Sequence, residues 1–111
     1  MSQRLIQIVE IFHEFALAVV EKRYIIITGG VESPGADTDL VSLFDLREEK
    51  WVLTPQMPPL INRRCKHASF AIKQFVFVCS GYRIERLDLG CALSCSAEKP
   101  GCVWDSFQIA L

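Results

Sequence analysis

The chain has 111 residues, 50% of them apolar, with 12 Lys and Arg against 13 Asp and Glu and a formal net charge of −1. That length makes one modest domain with enough apolar residues for a core, and the near-cancelled charge excludes a global field for nucleic acid or an anionic membrane. Glu10, His13, Glu14 and Glu21 interrupt the N-terminal stretch, so no apolar run reaches the roughly 18 residues of a spanning helix, and no uninterrupted signal-peptide core is present.

The first ambiguous stretch is 4–20. Leu5, Ile8, Val9, Phe12, Ala16 and Val19 stand at helical spacing, which fits an amphipathic helix. The β-branched and aromatic filling of Leu5-Ile6-Gln7-Ile8-Val9 and Phe15-Ala16-Leu17-Ala18-Val19-Val20 favours two strands instead. Glu21-Lys22-Arg23 is then a tight turn that pairs 15–20 with 24–28 as a hairpin. The strand Tyr24-Ile25-Ile26-Ile27-Thr28 ends in Gly29-Gly30 and lacks polar alternation, the pattern of a strand buried on both faces. A glycine pair there supplies positive φ and lets neighbouring backbone pass closely. Residues 31–39 read as an acidic, turn-rich loop.

A third strand is expected over 40–46, a charged turn over 47–50 and a fourth strand over 51–54. If the turn closes a hairpin, Phe44 and Trp51 face each other, a pairing that adds ~0.5–1.5 kcal/mol. Pro55, Pro58 and Pro59 end the strand, since proline cannot donate to a ladder. Beyond a basic connector, Ala68-Ser69-Phe70-Ala71-Ile72, a Lys73-Gln74 turn and Phe75-Val76-Phe77-Val78 repeat the first hairpin, and Cys79-Ser80-Gly81 repeats its ending. The spacing of the copies, about 50 residues, is in the range of repeat architectures.

In order and spacing these features resemble the kelch repeat family. Its strand ending in Gly-Gly is matched by Gly29 and Gly30, its aromatic before Trp by Phe44 and Trp51, its Met-Pro by Met57-Pro58, its Arg by Arg63 or Arg64, and its His-Ala by His67-Ala68. The second copy departs from the pattern: Ser80 precedes Gly81, Leu87 replaces the aromatic, and an apparent insertion over 90–102 precedes Trp104. The resemblance implies an all-β fold, a partial kelch-type β-propeller of about two four-stranded antiparallel blades. Residues 4–14 are then a remnant of a preceding blade or a short helix, 15–57 the first repeat, and 58–111 the second, degenerate one. The resemblance also implies a larger ring, so the chain is expected to be a fragment or to self-associate, and its end inside an expected fourth strand reads as truncation.

For chemistry the residues offer little. Cys91, Cys95 and Cys102 supply three thiolates where a structural zinc site takes four ligands, and with an odd cysteine count of 5 the expectation is a reduced loop in a cytoplasmic protein. His67 and Cys65 share a strand face with no third group to orient them, so His67 is expected to make a structural hydrogen bond, as the resemblance implies. No cofactor and no metal are expected. The implied role is non-catalytic protein binding, with no nucleic-acid or membrane partner. Loops 31–39 and 55–66 should emerge at one end, carrying Arg63, Arg64, Lys66 and Arg83 for acidic partners, Glu32, Asp37 and Asp39 for basic ones, and Tyr82 as an aromatic contact. The alternatives are a fragment of a propeller enzyme similar to sugar oxidases and a cysteine-based metal or redox module.

Overall fold

The structure, a computed structural model, describes residues 15–33, 36–52, 57–65, 67–80, 83–94 and 102–108. The expectations for 4–14, Lys66, Gly81 and Tyr82 lie outside those residues, as does the side chain of Glu32. The fold is all-β, two blade-like, four-stranded antiparallel sheets that make a partial propeller.

The first sheet holds β1 (Ala16–Val20), β2 (Tyr24–Thr28), β5 (Val41–Asp45) and β6 (Lys50–Val52) in that spatial order. The second holds β7 (Ala68–Ile72), β8 (Phe75–Ser80), β9 (Arg83–Asp88) and β10 (Asp105–Gln108), also in sequence order across the sheet. Between β2 and β5, where a loop was expected, a short hairpin forms from β3 (Val31–Ser33) and β4 (Ala36–Asp37).

Each hairpin follows from local chemistry. At the β1–β2 turn the Val20 carbonyl accepts from Arg23 N–H at 3.0 Å, while Glu21 and Lys22 take φ of 52° and 57°. The same plan closes both sheets after the third strand. Asp45 accepts from the N–H groups of Arg47 and Glu48 at 2.9 and 3.3 Å, and Asp88 accepts from those of Gly90 and Cys91 at 3.1 and 3.4 Å. Leu46 N–H donates to Arg23 O and Leu89 N–H to Gln74 O, at 2.7 and 2.9 Å. In the first sheet this turn leads straight into β6. In the second it opens into the helix Leu89–Leu93, and a disulfide joins Cys91 to Cys102 just before β10.

That bond corrects the expectation of a reduced loop, because the helix brings two cysteines 11 positions apart in sequence to a Cα separation of 5.6 Å, within bridging range. Between its third and fourth strands the second sheet thus carries a helix that the first sheet lacks.

The core lies between the sheets. Ala18, Val20, Ile26, Val41 and Leu43 from the first sheet meet Val76, Val78 and Leu87 from the second, with Met57 and Leu60 from the connector and Trp104 from just before β10. Ile25, Ile27 and Phe44 face the other way and form a second cluster with Phe15 and Trp51. The isoleucine run is therefore buried on both faces, as its lack of alternation predicts. Phe44 stands directly opposite Trp51, with ring centroids 5.0 Å apart and planes at 71°, an edge-to-face pair.

Candidate interaction surface

Loops that leave different strands meet at one end of the first sheet. Thr38 and Arg64 form an isolated antiparallel bridge, Gly30 N–H donates to Arg64 O at 2.8 Å, Arg64 N–H to Thr38 O at 3.2 Å and Leu60 N–H to Asp39 O at 2.8 Å. The β2–β5 loop and the connector between sheets are thus one layer. Asp37 and Arg63 are exposed on it, Asp39 is half-buried, and Arg83 is exposed at the start of β9.

Arg64 departs from its expected role as a partner contact. It is 9% exposed, and its Nη2 lies 2.9 Å from Oε1 of Glu85, itself 1% exposed on the inward face of β9. The contact is a charge pair without hydrogen-bond alignment: both Glu85 oxygens and Arg64 Nε and Nη1 have no hydrogen-bond partner. Burial pushes the Glu85 carboxyl above the usual carboxylate range while Arg64 pulls it down. Glu85 escaped the sequence reading, although a signal exists: period-two alternation along Arg83–Asp88 puts it on the face of Leu87, not on that of Ile84 and Arg86.

The layer is seated on Gly29. Its φ is 62°, and a Cβ there would lie 2.5 Å from Arg64 O and 2.7 Å from Cε1 of His67. His67 in turn hydrogen-bonds Thr28, Nε2 to Oγ1 at 2.9 Å. Burial and the Arg64 charge hold the imidazole below its usual pKa, partly offset by hydrogen bonding to Thr28. We therefore expect Gly29→Ala to be severely destabilising. Left-handed backbone costs a non-glycine residue about 1–3 kcal/mol, and the close contacts add about 1–3 kcal/mol of overpacking. Chemical denaturation checks this, and an unchanged midpoint would refute the close approach. Gly30, with φ of 105°, shares the backbone requirement.

At the opposite end Arg23 clamps Asp45 through Nε and Nη2 at 3.2 and 3.0 Å. This side-chain bond, reinforced by the Arg47 and Glu48 N–H groups, holds the Asp45 carboxyl below its usual value.

The expected aromatic equivalence of Trp51 and Trp104 is only partial. Trp51 is half-buried on the outer face, whereas Trp104 is 4% exposed in the core between sheets and donates Nε1–H to Pro58 O at 3.0 Å. The disulfide also removes Cys91 and Cys102 from any set of free thiolates. Among the described residues no three His, Cys, Asp or Glu side chains converge as a metal site. A cavity of about 80 Å³ lies beside Val20, Tyr24, Leu89 and Leu93, well below the roughly 300 Å³ at which small-molecule sites begin. No helix among the described residues is long and apolar enough to cross a membrane.

The outer faces of both sheets are apolar. Leu17 and Val19 are 42% and 50% exposed beside the Ile25, Ile27 and Phe44 cluster, and Phe70, Ile72 and Phe107 are 42%, 55% and 44% exposed on the far side. Phe70 stacks on Phe77 at 5.0 Å, and the Arg86 guanidinium lies over Phe75 and Phe107 at 5.4 and 5.1 Å.

Comparison with protein-family models and with curated proteins found no match for this chain.

Proposed function

We propose that the chain is a non-catalytic protein-interaction module built from two kelch-type repeats. The observation that carries this reading is the layer formed by the β2–β5 loop and the connector. Backbone hydrogen bonds hold it rigidly on Gly29 and His67 while Asp37 and Arg63 project from it. Rigidly presented loop charges are what a recognition surface needs, because ordering them on binding then costs little. The matched turn chemistry of Asp45 and Asp88 supports reading the two sheets as copies of one unit. The Cys91–Cys102 bond favours an oxidising compartment over the cytoplasmic setting expected from the cysteine count.

The test is affinity capture by the wild-type chain and by the double variant Arg63→Glu, Asp37→Lys, each melting as the wild type does. Loss of specific partners in the variant, by at least about tenfold, is the expected result. An identical set of captured proteins would reject the layer as the recognition surface.

A further inference from the structure

We infer that the cavity beside the helix Leu89–Leu93 is a docking pocket for one branched aliphatic side chain, carried next to a basic residue on a segment of a partner protein. The inference rests on reading the chain as a protein-interaction module. It adds a second contact, at the end of the sheets away from Asp37 and Arg63.

Three pieces of chain that are distant in sequence wall the cavity. Val20, Glu21 and Tyr24 come from the β1–β2 hairpin of the first sheet, and Leu89, Gly90 and Leu93 from the helix. The third piece is the β7–β8 turn, whose Gln74 lines the cavity and accepts from Leu89 N–H at 2.9 Å. The first sheet has no helix at the matching place, since its turn after Asp45 leads straight into β6. The wall that the second sheet adds is firmly fixed: Asp88 caps the start of the helix, and Cys91 is bonded to Cys102. On the facing wall the Arg23 guanidinium lies over the Tyr24 ring at 5.0 Å while it clamps Asp45. A pocket held in this way needs little ordering when a side chain enters, and such preorganisation favours binding.

Size and chemistry select the occupant. The volume of about 80 Å³ is room for roughly three groups of water size, at ~30 Å³ each, which matches the branched end of a valine, leucine or isoleucine. Val20 and Leu89, 1% and 2% exposed, give the cavity an apolar floor that offers water no hydrogen bond. An entering side chain therefore displaces weakly held water and gains contact. Glu21, exposed at its turn, is the charged residue among those lining the cavity. An aliphatic side chain with Lys or Arg beside it supplies both the apolar anchor and the complementary charge.

Panning a random peptide library on the intact chain tests this, followed by titration of an enriched peptide with affinity and amide NMR shifts as readouts. Enriched peptides are expected to carry Val, Leu or Ile beside Lys or Arg, and to shift the amides of Glu21, Tyr24 and Leu93. Changing the aliphatic residue to alanine should weaken binding about tenfold or more. Gly90→Leu should do the same from the protein side. A Cβ at Gly90 would meet Asp88 Oδ1 at 3.4 Å, an ordinary contact, and leucine favours helix over glycine. That variant therefore fills the cavity while its melting transition is unchanged or raised. Glu21→Gln should weaken binding about two- to fivefold at low salt and leave it unchanged near about 1 M salt, where exposed charges are screened.

A library that enriches no aliphatic and basic pair overturns the inference, as does a peptide that binds Gly90→Leu as tightly as the wild type. If circular dichroism shows Gly90→Leu misfolded, the peptide's alanine variant and Glu21→Gln decide in its place. Shifts at the same amides that follow protein concentration without peptide would make a second copy the occupant and also overturn it. Peptide binding that survives in the Arg63→Glu, Asp37→Lys variant sets the pocket apart from the loop layer, so the failure of either is read separately. Binding lost in that variant would assign the peptide to the layer and overturn the pocket.

Discussion

Replacing Arg64 with alanine is expected to destabilise the fold by about 3–5 kcal/mol, the cost of leaving one charge of a buried pair without its partner. The charge left behind is Glu85, 1% exposed against the first sheet and already short of hydrogen bonds. The loss should depend on pH. A carboxyl whose pKa is raised by burial contributes stability that is fully present below its unfolded value, 4.5, and is lost as pH rises through the folded one. Without Arg64 the carboxyl has less reason to ionise in the fold, so the variant regains stability on acidification. His67 moves the same way. Its lowered pKa is caused partly by Arg64, and without that charge the imidazole protonates at less cost. The deficit should therefore be largest near pH 8 and shrink towards pH 5. Denaturation midpoints of wild type and variant across that range measure it, and a pH-independent difference would show that Glu85 is not the group left unpaired. The double change Arg64→Met, Glu85→Leu should recover most of the loss, since an apolar pair of similar volume carries no desolvation cost.

Trp104→Ala is expected to cost about 3–5 kcal/mol as a large-to-small core change. Two effects act together: the indole fills the space between the sheets, and its Nε1–H is the donor to the Pro58 carbonyl. Because Pro58 belongs to the connector, the variant should also loosen the layer that holds Arg63. Hydrogen exchange at the amides of Leu60 and Arg64, which donate to Asp39 O and Thr38 O, reads that loosening directly. Unchanged exchange with an unchanged melting transition would mean the indole is not a strut between the sheet and the connector. Trp51→Ala should cost less, because Trp51 is only half-buried and its main partner is one ring, Phe44.

Much of the fold was legible from residues close together in the chain. The hairpins around Glu21-Lys22-Arg23 and Lys73-Gln74, the Phe44 and Trp51 pair and the two-sided burial of Ile25 to Ile27 all follow from turn residues and strand periodicity, which act over a few positions. The surface was less legible. Arg64 reads as one more basic residue in Arg63-Arg64-Cys65, and nothing local separates the exposed Arg63 from the buried Arg64. What separates them is the antiparallel bridge to Thr38, which turns one side chain towards β9. The Cys91–Cys102 bond was hidden for a similar reason, since odd cysteine counts and spacing do not specify pairing, and only the helix after Asp88 brings these two together.

By itself the sequence determined the hairpins over 16–28 and 68–80 and the pairing of Phe44 with Trp51, but not the β3–β4 hairpin or the helix after Asp88, because alternation and turn chemistry are properties of neighbouring residues. Only the tertiary structure decided which face of each sheet is covered, which arginine loses its water and which cysteines meet. Those outcomes depend on how one sheet stacks on the other, between residues such as Arg64 and Glu85 that are distant in the chain and come within 2.9 Å only when both sheets have formed.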